Sequence, residues 1–195
     1  MSISLMLLIS VFVVYTIDRL AVAQSWHAYF YLVLIFGVVQ NISRSFLGES
    51  SGLMTYYRTL VDHKAFFISK LLYQAFINTL FVIMLFVVMD FFLPHGIVAI
   101  GPYLITVYLF TLCNAAIFTF NAAIAASAKN STLVAGVLSF PLLIPNLMVS
   151  LKASAKSLAA EEPWSMLWAD WSVLFLLFSI CIILGLVLFQ FLWQE

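Results

Sequence analysis

Two histidines are the side chains of this sequence best suited to bind a metal-containing molecule. In the membrane orientation derived below, His27 and His95 both fall on the outer side, and an imidazole nitrogen can ligate a haem iron. The two residues do not recur at helical spacing, which makes ligation the weaker interpretation. We therefore assign no cofactor to this chain from its histidines.

Four amide side chains lie inside strongly apolar segments, in pairs that share a helix face. Gln74 and Asn78 are four residues apart, and Asn114 and Asn121 are seven apart. Buried amides either line a substrate path or form hydrogen bonds that hold helices together. We favour the second interpretation, because none of the four is ionisable.

The sequence carries none of the usual motifs of catalysis. HExxH, GxSxG and GxxxxGK[ST] are all missing, so a hydrolase site or ATP binding of the Walker type is not expected from this chain alone. Its two cysteines, Cys113 and Cys181, form no CxxC motif and are predicted to pack as apolar residues. The chain is therefore predicted not to be an enzyme by itself.

The composition places these residues in a membrane protein. Charged residues make up 8% of the chain and apolar residues 65%, against roughly 25% and 45–50% in soluble domains. A chain of this length cannot hide so much apolar surface in one aqueous core. No strand-like alternation is present, so an all-α integral membrane protein is expected.

Six segments are apolar enough to form membrane-spanning helices, each close to the about 20 residues that a bilayer requires. They cover 1–17, 26–43, 71–93, 102–128, 131–151 and 171–193. With the N-terminus in the cytoplasm, the inner loops hold five Lys and Arg residues and the outer loops three. We therefore expect a single six-helix transmembrane domain in a bacterial inner membrane, with both termini cytoplasmic.

Two further patterns refine this arrangement. Pro141 and Pro145 lie four apart in the fifth span and predict a kink, which is either a hinge or a static bend. Trp164, Trp168 and Trp171 recur at i, i+4 and i+7, which predicts a short helix over 154–171 lying in the membrane interface. A haem-binding role for these tryptophans is the weaker alternative.

The cytoplasmic segment 44–70 is the longest connection and holds half of the Lys and Arg residues. Leu53, Tyr57, Leu60 and Val61 lie on one face of a predicted helix, and a break is expected at 62–64, where Asp62 can cap the next helix. A short amphipathic helix either lies on the membrane surface or docks into a groove of a soluble partner. Periodicity alone favours the surface.

Several stretches of the chain resemble the CcmB family, the permease subunit of an ABC-type complex in cytochrome c maturation. The similar stretches are 45–52, 56–60, 65–70, 126–131 and 139–145, in consistent order between about Leu20 and Trp193. The resemblance is closest to the Bacteroidetes-type branch. Members usually have a basic amphipathic segment before the first span and often a proline near Asp62. This sequence has neither, which indicates a start placed too far downstream or a truncated chain.

The resemblance implies a type-2 ABC exporter permease with two copies per complex and a separate ATPase, CcmA, that binds the ATP. Other implied partners are the haem-handling protein CcmC, the haem chaperone CcmE and the lipid bilayer, with no nucleic acid. Haem is the implied cargo, or else the complex releases the haem-loaded chaperone. The implied coupling helix covers Gly52 to Lys70. Its ATPase interface would comprise Glu49, Gly52, Tyr56, Tyr57, Arg58, Leu60 and Lys64.

Two alternatives remain open at this point. The chain is an ABC permease for another lipophilic cargo, or it is a membrane scaffold that docks partners and transports nothing.

Overall fold

A computed structural model of the chain describes residues 23–45, 62–92, 97, 99–125, 131–158 and 164–192, and its elements there are all α-helices. The five helices are α1 (Ala23–Ser45), α2 (His63–Phe92), α3 (Ile100–Ala125), α4 (Ser131–Leu158) and α5 (Trp164–Leu192). Helices α2 to α5 are long and apolar enough to cross a membrane, as expected for a multi-pass membrane protein. The apolar described stretch of α1, Ser25–Val38, is shorter. The span predicted over 1–17 lies outside the described residues, so the six-helix count stays a prediction.

Helix α3 is the centre of the bundle. It contacts each of the other four helices, and 72% of its most apolar stretch is buried, against 22–28% in α2, α4 and α5. Its threonine hydroxyls donate to carbonyls one turn back in the same helix: Thr106 to Pro102 at 2.9 Å and Thr119 to Ala115 at 2.7 Å. This arrangement removes polar groups that an apolar surrounding could not satisfy.

Long-range contacts define the two ends of the bundle. At the His27 end, the start of α1 meets the start of α3 and the end of α4, because His27 contacts both Tyr103 and Ser154. At the opposite end, here called the Phe189 end, Phe66 and Phe67 of α2 pack with Ala122 of α3 and Phe189 of α5. Successive helices therefore run in opposite directions.

Helix α2 begins further upstream than the predicted span at 71. The backbone carbonyl of Asp62 accepts the Phe66 amide at 3.0 Å, which places Asp62 at the cap position, as predicted. Its carboxylate lies 2.8 Å from Nδ1 of His63. Residues 63–70, which the sequence assigned to the cytoplasmic segment, form the first turns of α2.

The separate interfacial helix predicted over 154–171 is wrong. Residues up to Leu158 extend α4, and those from Trp164 onward belong to α5, which continues without a break to Leu192. The i, i+4, i+7 spacing of the tryptophans was read correctly as helical, but it belongs to the first turns of a long helix.

Two glycines allow α2 to approach its neighbours closely. A Cβ on Gly37 of α1 would lie 2.1 Å from Cζ of Phe81, and a Cβ on Gly185 of α5 would lie 2.3 Å from Cζ of Phe67. Both phenylalanines are buried. Small residues at such crossings let packing hold membrane helices together where lipid provides no hydrophobic driving force.

The Gly37 contact gives a first prediction. Gly37→Ala is expected to lower the free energy of unfolding by about 1–3 kcal/mol, since the buried Phe81 ring must move to admit the methyl group. Thermal unfolding in mild detergent measures the effect. Gly101→Ala, at an exposed position in the first turn of α3, is the control and should be neutral or stabilising. Equal stability of the two variants would show that α1 and α2 are not packed in this way.

Candidate functional site

A line of buried polar side chains runs along one face of α4, against α3. The line consists of Ser139, Asn146, Ser150, Ser154 and Ser157, each no more than 2% exposed. Their spacing of three, four and seven residues keeps them on one helix face. We call this line and the α3 residues opposite it the polar seam.

Two asparagines of α3 bond across the seam. Nδ2 of Asn146 donates to Oδ1 of Asn114 at 3.0 Å, and more distantly to the Phe110 carbonyl at 3.4 Å. Nδ2 of Asn121 donates to the Ser139 hydroxyl at 3.0 Å. The interpretation of Asn114 and Asn121 as residues that hold helices together is therefore confirmed. Their partners on α4 were not identified from the sequence.

The other predicted pair forms its bond within one helix. Nε2 of Gln74 donates to Oδ1 of Asn78 at 3.1 Å, and both side chains are buried. Nδ2 of Asn78 and Oδ1 of Asn146 are buried atoms without a hydrogen-bond partner among the residues that the structure describes. The Asn146 oxygen lies in the seam itself.

His27 closes the seam at its end of the bundle. Its Nδ1 lies 3.2 Å from the Tyr103 hydroxyl and its Nε2 lies 3.4 Å from the Ser154 hydroxyl, so the ring joins three helices. The hydroxyl of Tyr31 donates to the Ser150 carbonyl at 3.4 Å. Both aromatic rings pack edge-on against the imidazole, with centroids 4.9 Å and 5.7 Å away.

This environment argues against His27 as a haem ligand. The side chain is 7% exposed, and each ring nitrogen already faces a hydroxyl group. Ligation of an iron atom would have to break one of these contacts and open the bundle. His95 lies outside the described residues, so the structure says nothing about its role.

Ionic and polar contacts also join α4 and α5 near the His27 end. Lys156 donates to Asp170 at 2.7 Å, and the exposed Lys152 lies 3.9 Å from the other carboxylate oxygen. Nε1 of Trp171 donates to the Thr106 hydroxyl of α3 at 2.9 Å. Trp171 therefore acts as a buried link between helices, whereas Trp168 is 64% exposed.

The two prolines lie on the other side of α4 from the seam. Pro141 is exposed and Pro145 is partly buried, while Asn146 next to it is fully buried. The helix continues through both prolines. Each proline lacks a backbone donor, so the lipid-facing side of α4 is the weaker side, and the opposite side is held by bonds to α3. A hinge at Pro141 and Pro145 stays a prediction.

Most of the predicted ATPase interface lies outside the described residues: Glu49, Gly52, Tyr56, Tyr57, Arg58 and Leu60. Lys64 is the exception and is exposed in the first turn of α2. The predicted interface therefore stays a prediction.

The cysteines pack as predicted. Cys113 and Cys181 are buried in one apolar cluster with Leu71, Ala116 and Ile117. Within the described ranges, no group of three or more His, Cys, Asp or Glu residues could hold a metal ion.

The serines of the seam were missed in the sequence. Asn146, Ser150 and Ser154 recur at i, i+4 and i+8, and in an apolar segment this spacing indicates a polar face turned toward another helix. The neighbouring prolines drew attention to bending instead. The contacts of Phe66 and Phe67 with α5 join residues far apart in sequence, so no local pattern predicts them.

Comparisons with protein-family models, with curated proteins and with solved structures find no match to this chain. The resemblance to CcmB therefore rests on the sequence stretches given above and stays a prediction.

The His27 contacts give a second prediction. His27→Phe keeps the aromatic volume but leaves the buried Tyr103 hydroxyl without its partner. It should lower the free energy of unfolding by about 1–3 kcal/mol, whether or not haem is supplied. Chemical unfolding in detergent, with and without haem, measures this effect.

The double variant His27→Phe/Tyr103→Phe is the matched control. It removes both hydrogen-bonding partners and should recover most of the lost stability. A double variant as unstable as the sum of the two single variants would contradict a structural role for this hydrogen bond.

Proposed function

We propose that this chain is the membrane permease subunit of an ABC-type complex in c-type cytochrome biogenesis. A separate ATPase subunit would hydrolyse ATP, and the bundle would couple hydrolysis to haem export or to release of a haem-loaded chaperone. Four helices able to cross a membrane support the membrane part of this proposal. The resemblance of 45–52, 56–60 and 65–70 to the CcmB family supports the remainder.

The observation that carries the coupling role is the length and anchoring of α2. Its 30 residues extend about 45 Å, well beyond the about 30 Å of the hydrocarbon core. In the predicted orientation, the surplus projects from the cytoplasmic face and carries the exposed Lys64. The helix therefore continues directly from the segment that would contact the ATPase.

The surplus turns of α2 are firmly attached to the bundle. The Phe66 and Phe189 rings stack with centroids 5.9 Å apart and planes 7° or less from parallel, at 6°. Phe67 sits against Gly185 and contacts Phe189 as well, with centroids 5.8 Å apart. We call this contact of Phe66, Phe67, Gly185 and Phe189 the aromatic joint.

The aromatic joint offers a route for mechanical coupling. A displacement of the segment before Asp62 would move the start of α2, and close-packed side chains would pass the displacement to α5. Ala122 of α3 belongs to the same cluster, so the central helix would also be displaced. The polar seam between α3 and α4 lies next along this route.

A second candidate function is a permease for another lipophilic cargo, and a groove between α3 and α5 favours it. The groove measures about 520 Å³ and is apolar. Its lining residues are Ile105, Leu109, Trp168, Trp171, Ser172 and Phe175. A groove on the apolar outer surface of the bundle would admit a molecule from the lipid rather than from water.

Purification of this chain from native membranes in mild detergent, followed by mass spectrometry, tests the proposal. A near-stoichiometric Walker-type ATPase together with haem-handling proteins is expected. An ATPase without haem-handling proteins would favour the second candidate. Absence of any ATPase would reject both transport functions and favour a scaffold.

Leu60 gives the third prediction. Leu60→Asp places a charge on the apolar face of the predicted coupling helix, so it should abolish co-purification of the ATPase and lower holocytochrome levels. Thr59→Asp, which adds the same charge on another face, is the control and should leave both unchanged. Normal assembly and normal holocytochrome in Leu60→Asp would contradict the coupling role.

Gly185 gives the fourth prediction. Gly185→Ala forces the Phe67 ring away from α5, so the ATPase should still co-purify while holocytochrome production falls severalfold. The ratio of the two readouts separates damaged coupling from damaged assembly. Gly101→Ala serves as the control. Full activity of Gly185→Ala would show that force does not pass through the aromatic joint.

A further inference from the structure

Asn146 is the residue of the seam whose hydrogen bonding is incomplete. Its side chain is fully buried, and its Nδ2 serves two acceptors, the Asn114 amide oxygen and the Phe110 carbonyl. Its Oδ1 accepts no hydrogen bond from any residue in the described part of the chain. An amide oxygen has two lone pairs, and hydrocarbon supplies no donor to fill them.

Rotating the amides does not remove the problem. If both Asn146 and Asn114 were turned by 180°, the bond between them would reverse, and an Asn146 N–H would take the position of the oxygen. One polar atom of Asn146 would still lack a partner. The demand for a further hydrogen-bonding group is therefore a property of the site and not of one amide orientation.

The adjacent hydroxyls of α4 are already used as donors. Ser150 donates to the Leu147 carbonyl at 3.1 Å, and Ser154 donates to the Ser150 carbonyl at 2.6 Å. These serines back-bond to their own helix, as hydroxyls commonly do in apolar surroundings. The missing group must therefore come from outside the set of seam residues.

We propose that Asn146 binds a water molecule inside the polar seam between α3 and α4. Water is small enough for a site that is closed on all sides, and it both donates and accepts, so it satisfies either orientation of the amide. A neutral ligand also fits the seam better than a cation, because its side chains are uncharged amides and hydroxyls.

The serines provide a route by which such water reaches Asn146. Ser150 and Ser154 follow it at intervals of four residues, about 6 Å along the helix axis, toward the His27 end. Each hydroxyl oxygen keeps lone-pair capacity after donating its own proton. The seam is thus a polar line from the end of the bundle to the Asn114–Asn146 contact.

X-ray radiolysis footprinting of the full chain in lipid nanodiscs tests the proposal. Radiolysis produces hydroxyl radicals from water in place, so a buried ring is oxidised only where water lies close to it. Phe110 borders the site, while Phe67 is equally buried, at 0% exposure, in the aromatic joint. We expect Phe110 to be oxidised at least a few-fold faster than Phe67. Equal rates would overturn the proposal.

A pair of variants assigns the water to Asn146. Asn146→Leu removes the incomplete amide and should bring the Phe110 rate down to that of Phe67. Asn121→Leu removes the other amide rung of the seam and should leave the Phe110 rate high. A high rate that persists in Asn146→Leu would overturn the assignment. If that variant does not fold, the comparison of Phe110 with Phe67 in the native chain still decides the matter.

Discussion

Within a hydrocarbon layer, a polar group that finds no partner in the protein finds none at all, and this constraint shapes the centre of the bundle. Helix α3 meets it in two ways. Its threonines bond to their own backbone, and its asparagines bond to α4. The helix can therefore carry polar side chains while being the most buried element of the fold.

The two ends of the bundle are held by different kinds of contact. At the His27 end, hydrogen bonds and the Lys156–Asp170 ion pair join the helices, and such contacts depend on distance and direction. At the Phe189 end, rings pack against a glycine and against each other, and such contacts depend on shape. The proposed coupling mechanism uses this difference: the end nearest the ATPase is joined by rigid packing, and the end farthest from it by bonds that can exchange partners.

The sequence predicts the class of the fold and the location of most helices, because apolar length is a local property. It also predicts that Asn114 and Asn121 hold helices together and that Asp62 begins a helix. It fails where distance along the chain matters, as at Phe67 and Gly185, which are more than a hundred residues apart. It also fails at Trp164 and Trp168, because the same helical spacing fits an interfacial helix and the first turns of a spanning one. The seam falls between these cases, since its periodicity is local but its meaning depends on α3.

The polar face of α4 has a consequence for biosynthesis. Of the four helices able to span a membrane, α4 is the least apolar, since serines, asparagine and prolines replace larger apolar residues. On its own it would partition into lipid less readily than α5, the most apolar of the four. Helix α3 is synthesised immediately before it and presents the asparagines that pair with its polar face. The two helices are therefore suited to leave the translocon together as a hairpin, with the seam already closed when it meets the lipid.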